Sequence, residues 1–312
     1  MKSSPGFVLV NALVLVAALA AMAVLLLARA EGGRQRLSQG IDAEQLTLNL
    51  DAFEALALAR IASDDRAVDH PDEPWATPVA ALPLERGEVA GSLDDQQGRF
   101  NLNWLAGAPD GFHHQAFDRL CDRLGVPSRA SAALRDFLRP GGPAQPGAFL
   151  LADPPTAPPG GSLLMVSQLR AVPGLPPEAL ARLAPHVAAL DGASKLNVNT
   201  ATPQVLAAML PGLSAPVIDR IVQARKRTPY TSVDAFLIDV GLARAEDPRG
   251  DAPSDEEPAQ QLTEDMVSVA SNWFLARIDA RLGPRSATRE LLIERRALHE
   301  GPRTAWRVTV RP

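Results

Sequence analysis

Asp94 and Asp95 are the first residues whose types and spacing invite a chemical reading, because a carboxylate pair can divide the acid and base steps of a hydrolysis. They precede Gln96-Gln97-Gly98, however, and adjacent carboxylates on a turn are expected to be solvated. His113 and His114 come next, since imidazole is the commonest metal ligand. Neighbours on a helix do not share a face, so the two cannot grip one ion together. With no H-x-x-x-H and no cysteine near a histidine, all five histidines read as non-ligands. Asp247, Asp251 and Asp255 stand four apart, but Pro248, Pro253 and Pro258 forbid the helix that would align them. The D-x-D-x-D-G loop with glutamate at its twelfth position is missing, so this acidic stretch reads as solvated loop. Cys121, the single cysteine, cannot close an intramolecular disulfide, and within FDRLCDRLG it reads as a small buried apolar group. The chain contains no G-x-S-x-G, Walker loop or HExxH. A non-catalytic protein is expected.

Phosphate chemistry is the other candidate. LRAVPGLPPEALARLAPHVAAL (169–190) and AAMLPGLSAPVIDRIVQARK (207–226) share a helix–Pro-Gly-Leu–helix pattern that is similar to helix–hairpin–helix DNA-binding modules. Such modules cradle a phosphate on the backbone N–H groups of a Gly-x-Gly turn. Here the second glycine is replaced by Pro176, which has no N–H, and by Ser214. From 193 to 240, Lys195, Arg220, Arg225, Lys226 and Arg227 stand against Asp219, Asp234 and Asp239, five minus three, a net of +2. The whole chain carries −5, which opposes general nucleic-acid binding. A membrane-anchored DNA receptor is therefore the alternative reading and no nucleic-acid partner is expected.

The elements that would position these residues begin with a membrane helix. After Gly6 come 22 residues, Phe7 to Ala28, with Asn11 as the only polar side chain. At about 1.5 Å per residue they reach roughly 33 Å, enough to cross a hydrocarbon core. Two processing readings stand open here. Ala28-Arg29-Ala30 resembles an A-x-A signal-peptidase site, which would leave Glu31 first, although the apolar run exceeds a signal h-region. Alternatively the short leader 1–6, ending at Gly6 before the aromatic Phe7, is a prepilin signal. Lys2 before the span and Arg29, Arg34 and Arg36 after it oppose a periplasmic C-terminus by the charge rule.

Beyond the span, Leu46, Leu50, Phe53, Ala57 and Ile61 fall at steps of three and four and share one helical face. No proline intervenes between Pro5 and Pro71, so one helix from Phe7 to about Ala62 is expected, with bends expected at Gly32, Gly33 and Gly40. Its second half would lay this face on a soluble domain. Residues 63–87 read as loop, and Val89, a break at Gly91, Leu93, Phe100 and Leu102 as strand. Residues 106–262 are mainly helical, with a Pro- and Gly-rich mobile loop at 140–162; Thr200 or Thr202 and Ser232 are candidate N-caps. From 263 the alternation of Phe274, Ala276, Ile278 and Ala280 with Leu275, Arg277, Asp279 and Arg281 marks a closing antiparallel meander. The fold class is α+β: a long N-terminal helix on an antiparallel sheet begun by 63–105, carrying a large inserted helical domain.

Four segments in order, the Gly6/Phe7 junction, QGRFNLNWL (97–105), LNVNTATPQVLAAMLPGLS (196–214) and WFLARIDARLG (273–283), resemble the minor pseudopilin K family of the type II secretion system. The resemblance implies a pilin fold with an insert of SAM-like modules, cleavage by prepilin peptidase after Gly6 and N-methylation of Phe7. It further implies an inner-membrane anchor with the bulk of the chain in the periplasm of a Gram-negative bacterium. The family member sits at the tip of the pseudopilus with minor pseudopilins I and J, then H, where secreted substrates are possible contacts. The helix face Leu46, Leu50, Phe53, Ala57 and Ile61 is assigned to that subunit interface, so a charge at Leu50 or Phe53 is expected to abolish secretion without changing the insert. Counted from Phe7, the fifth residue is Asn11, where most pilins carry a glutamate and this family does not. A carboxylate in hydrocarbon costs on the order of 2.5–3.5 kcal/mol unless paired, so a neutral residue suits a subunit with nothing above it. Relatives are associated with calcium, but acidic residues usual after the first insert helices are replaced here by LRPGGPAQPG (138–147), and no ligands are assigned.

Overall fold

The computed structural model describes residues 5–107, 111–144, 146–151, 155, 160–242 and 261–310. The acidic stretch with Asp247, Asp251 and Asp255 lies outside them.

One helix, α1, runs unbroken from Pro5 to Ser63. Proline is tolerated at its first position because the N–H it lacks has no partner there. Helical structure passes through Gly32, Gly33 and Gly40 without interruption. Every residue from Leu9 to Glu31 is exposed, and this stretch is long and apolar enough to cross a membrane. From Leu46 onward the helix lies on a five-stranded antiparallel sheet of order β1-β2-β7-β8-β9, comprising β1 (Val79–Pro83), β2 (Glu88–Asp95), β7 (Trp273–Leu282), β8 (Arg285–Glu294) and β9 (Arg303–Val310). Leu46, Leu50, Phe53, Ala57 and Ile61 are all 0–3% exposed and meet Phe274, Ala276, Ile278 and Ala280 of β7, as the period-two pattern expects. Each large apolar side chain so buried contributes roughly 1.5–3 kcal/mol. Gly91 does not break the strand. It pairs with Ile278 inside β2, and a Cβ there would stand 2.5 Å from the Phe53 ring, so glycine lets α1 approach the sheet.

β2 and β7 pair directly over their whole length, so residues 96–272 form an insertion between adjacent strands. It contains α2 (Phe112–Arg123), α3 (Ser128–Phe137), α4 (Gly147–Leu150), α5 (Pro177–Leu183), α6 (Pro203–Met209), α7 (Ala215–Arg227) and α8 (Val233–Asp239). Two short parallel pairs knit these together: β3 (Phe100–Asn101) with β4 (Val187–Ala188), and β5 (Leu196–Asn197) with β6 (Val267–Ser268). The first half of the repeated helix–Pro-Gly-Leu–helix pattern is a 3-10 turn, Val166–Ala171, rather than an α-helix. Of the expected caps, Thr202 and Ser232 serve, accepting from Val205 N and Ala235 N. The insert has its own core, which includes Phe100, Leu102, Leu105, Leu262, Val267 and Val269. The expected boundaries at 105/106 and 262/263 thus cut through that core. The loop at 140–162 is described only in part and carries α4.

Candidate functional site at the junction of sheet and insert

The two acidic neighbours divide. Asp94 is half-exposed and ion-paired to Arg277 at 3.0 Å, as a turn carboxylate would be. Asp95 is instead the last residue of β2 and only 9% exposed. Its Oδ1 accepts from Gln97 N at 2.8 Å, and its Oδ2 accepts from Asn197 Nδ2 at 3.0 Å, Ser271 Oγ at 2.7 Å and Thr200 Oγ1. The expectation of a solvated pair fails at Asp95 because three of its four donors lie 102, 105 and 176 residues away in sequence, invisible to local spacing. Burial pushes the Asp95 carboxyl above the ordinary range, against the pull of these hydrogen bonds. Nothing here resembles a reacting centre: the group is enclosed and spends its acceptors on the protein itself.

QGRFNLN and LNVNT meet at this point. Asn197 N donates to Gln97 O at 2.9 Å, Thr202 N to Gly98 O at 3.1 Å, and Gln97 Nε2 to Lys195 O at 2.8 Å. A Cβ on Gly98 would fall 2.6 Å from Thr200 O, so this crossing requires glycine. The two asparagine motifs are built alike. In each, the first Asn accepts on Oδ1 from the backbone N–H of the second: Asn103 N to Asn101 at 3.1 Å, Asn199 N to Asn197 at 2.9 Å. In each, the second carboxamide clasps both backbone groups of one distant residue. Asn103 accepts from Leu163 N at 2.7 Å and donates to Leu163 O at 2.9 Å; Asn199 does the same to Tyr230 at 2.9 and 3.0 Å. In each motif the first Asn is the last residue of a two-residue strand in a parallel pair. The signal for this internal likeness, N-x-N after an apolar residue at 100–103 and 196–199, stands in the sequence.

Beside Asp95 lies a buried ion triad. Arg295, with 1% of its side chain exposed, reaches Asp69 at 2.9 and 3.0 Å and Asp64 at 2.6 Å, while stacking on Phe274 at 4.6 Å. One guanidinium faces two carboxylates, so one proton is retained readily. Burial raises Asp69 to about 7, and burial followed by repulsion from Glu73 raises Asp64. Raised folded-state values mean that the folded chain binds more protons than the unfolded one between about pH 4 and 7. The triad's stabilising contribution is therefore full below about pH 4 and falls as pH rises to about 7. Urea unfolding midpoints of Asp69→Asn should lack the part of the wild type's pH slope that lies between 4 and 7; identical slopes would refute this.

Asp64, Asp69 and Glu73 are also the one carboxylate trio among the described residues close enough to hold a cation, with ligand atoms within 4.8 Å. They do not fit calcium. Arg295 already occupies two of them, and Glu73 accepts from His70 N and Trp75 Nε1 at 2.7 and 2.8 Å. His113 stacks on Trp104 at 4.8 Å, consistent with a packing rather than a ligand role. Cys121 is buried and its thiol pushed up to about 12 by burial, hence unreactive. Arg225, counted above among cations available to DNA, is buried and donates to Val198 O and Ala201 O, holding the second asparagine motif.

The remaining expected site is the helix face. Leu46, Leu50, Phe53, Ala57 and Ile61 are the chain's own core and cannot also be a subunit interface. A different stripe on α1 is exposed: Leu48, Ala52, Ala55, Ala59 and Ala62. These recur at steps of four and three, on the side of the helix roughly 180° from the core face at 3.6 residues per turn. Leu37 and Ile41 continue the stripe toward the membrane span, 67% and 45% exposed. Sequence reading missed it because alanine is a weak hydrophobic signal, whereas the leucines and Phe53 mark the other face strongly. Gly6 and Phe7 lie within the first turns of α1, and Asn11 is exposed on it.

A membrane-length helix whose upper half rides on an antiparallel sheet, with a helical domain inserted between two strands, defines a pilin-like subunit. Family models for type II secretion system protein K match residues 98–192 and 196–256, so each match opens within two residues of an asparagine motif. Type II secretion system protein K of Klebsiella pneumoniae is 29% identical over 264 residues, 77% of this chain and 81% of that protein. The Pseudomonas aeruginosa protein K is 36% identical over 187 residues, 54% of each chain. A chain in the crystal structure of the GspK-GspI-GspJ complex from enterotoxigenic Escherichia coli superposes with a TM-score of 0.72 at 24% identity, covering 89% of this chain and 100% of that one. The chain belongs to the type II secretion system protein K family and is a pseudopilus subunit of that system.

Proposed function

We propose that this subunit caps the tip of the pseudopilus and takes part in the export of folded proteins across the outer membrane. It would be anchored in the inner membrane with its globular part in the periplasm. The observation that carries this reading is Asn11: the fifth residue after the Gly6/Phe7 junction has no charge. A buried carboxylate needs a cation, and the amino terminus of an overlying subunit is the cation available in a filament. A subunit with nothing above it is better served by an amide. The partners we propose are minor pseudopilins I and J, then H, docking long helices on the Leu48–Ala62 seam, where small side chains allow close backbone approach.

Prepilin peptidase would cut between Gly6 and Phe7, and the new terminus would be methylated. Mass spectrometry of the protein purified from membranes tests this. The expected mature chain starts at N-methylated Phe7; a start at Glu31 or an uncut leader would remove the basis for filament entry.

A further inference from the structure

Three arginines, Arg29, Arg34 and Arg36, stand just past the apolar span of α1, where the charge rule does not place them. All are exposed, unlike the arginines of the sheet in their commitments: Arg277, Arg289, Arg295 and Arg303 are each paired with an acid. Apart from Arg36 Nε donating to Gly32 O at 3.2 Å, the three make no hydrogen bond or ion pair among the described residues. Glu31 is the only acid between Arg29 and Gly40, three minus one, a net of +2. The next acid, Asp42, is already engaged by Arg86 and Arg285 at 3.5 and 3.8 Å. The sheet domain does not cover the cluster. Among the described residues its hydrogen bond to α1 nearest the span is Arg285 Nη1 to Gln39 O at 3.3 Å, about 15 Å beyond Arg29 at a helical rise of about 1.5 Å per residue.

With the hydrocarbon core ending near Ala28, the headgroup layer extends about 5–8 Å beyond it. Arg34 stands about 8 Å and Arg36 about 11 Å beyond Arg29, and their flexible stems let both guanidinium groups reach back into that layer. The arginines also surround the helix: Arg29 and Arg36, two turns apart, share a side, and Arg34 is on nearly the opposite one. A docked protein helix would cover one side only, whereas headgroups lie all round. Guanidinium forks match phosphate, and a net positive charge favours lipids whose phosphate charge is not cancelled within the headgroup. We propose that Arg29, Arg34 and Arg36 form a collar that binds anionic phospholipid headgroups in the leaflet facing the sheet domain. The proposal rests on the span being retained, as in the reading given under the proposed function.

The test is native mass spectrometry of the full chain, purified from membranes in detergent and titrated with phosphatidylglycerol, phosphatidylcholine or glycerol phosphate. Expected are saturable phosphatidylglycerol adducts on a chain that starts at Phe7, weaker phosphatidylcholine adducts, and no displacement by glycerol phosphate. Each charge near an anionic surface is worth about fivefold in affinity. Joint replacement Arg29→Gln, Arg34→Gln and Arg36→Gln should therefore abolish the preference, and Glu31→Gln should strengthen phosphatidylglycerol binding about fivefold. The second variant decides the matter if the first does not accumulate. Equal binding of the two lipids, a preference undiminished without the arginines or unmoved by Glu31→Gln, or displacement by glycerol phosphate would overturn the proposal. So would a triple variant that keeps its lipid but loses the other minor pseudopilins. Those results on a chain starting at Phe7 leave the anchor intact, whereas a start at Glu31 removes anchor and collar together.

Discussion

Replacing Arg295 by alanine is expected to lower the unfolding free energy by about 3–5 kcal/mol, the range found when one partner of a buried ion pair is deleted. The guanidinium is almost wholly enclosed, and so are its partners: the side chains of Asp64 and Asp69 are 8% and 0% exposed. Without Arg295, two carboxylates face each other in a site already hostile to charge. They tie the segment after α1 to the end of β8 and, through Asp69 and Ser271 N at 2.7 Å, to the stretch that leads from the insert into β7. Without the lowering pull of Arg295 both carboxyls rise further above their ordinary range, so the loss should be larger at pH 7.5, where holding a proton or burying the charge is costly, than at pH 5, where protonation costs less. Urea titrations at the two pH values measure it. Replacing all three residues by neutral ones (Asp64→Asn, Asp69→Asn, Arg295→Met) should recover most of the loss, because burying no charge costs less than burying an unpaired one. A loss below about 1 kcal/mol for Arg295→Ala, within the range of a surface pair, would show that the triad is solvated in solution.

The second large effect separates the two faces of α1. Leu50→Asp places a carboxylate at a site with 0% exposure, under β7, and should prevent stable folding of the sheet domain. Ala55→Arg, five residues on and facing outward, should change stability by no more than about 0.5 kcal/mol, as exposed substitutions do. It should nevertheless reduce co-purification with other minor pseudopilins at least tenfold, about 1.4 kcal/mol of association free energy, by thrusting a charged side chain into a close-packed seam. Circular dichroism melts and pull-downs from membranes distinguish the outcomes. Undiminished assembly with Ala55→Arg would show that partners dock elsewhere. A well-folded Leu50→Asp protein that fails only in assembly would return the interface to the face of α1 that lies on the sheet.

Much of the architecture is legible along the chain because it depends on local periodicity. The unbroken apolar run, the lack of proline between Pro5 and Pro71 and the alternation through Phe274–Ala280 specify α1 and β7 without any knowledge of their neighbours. The insertion is legible too, as a change from period two to helical period and back. The class of protein follows from those elements together with the NLN and NVN segments. What neighbours decide is different in kind. Whether Asp95 is solvated or enclosed depends on Asn197, Thr200 and Ser271, all brought in from across the insert. Whether an apolar stripe on α1 is core or interface depends on which side the sheet occupies: a helix with leucines on one side and alanines on the other carries both possibilities, and only the packing of Phe53 against Gly91 settles which is used up inside the chain. Patterning sets the elements because their hydrogen bonds and periods are local; burial and charge state belong to contacts between residues far apart in sequence, and those exist only once the chain has closed on itself.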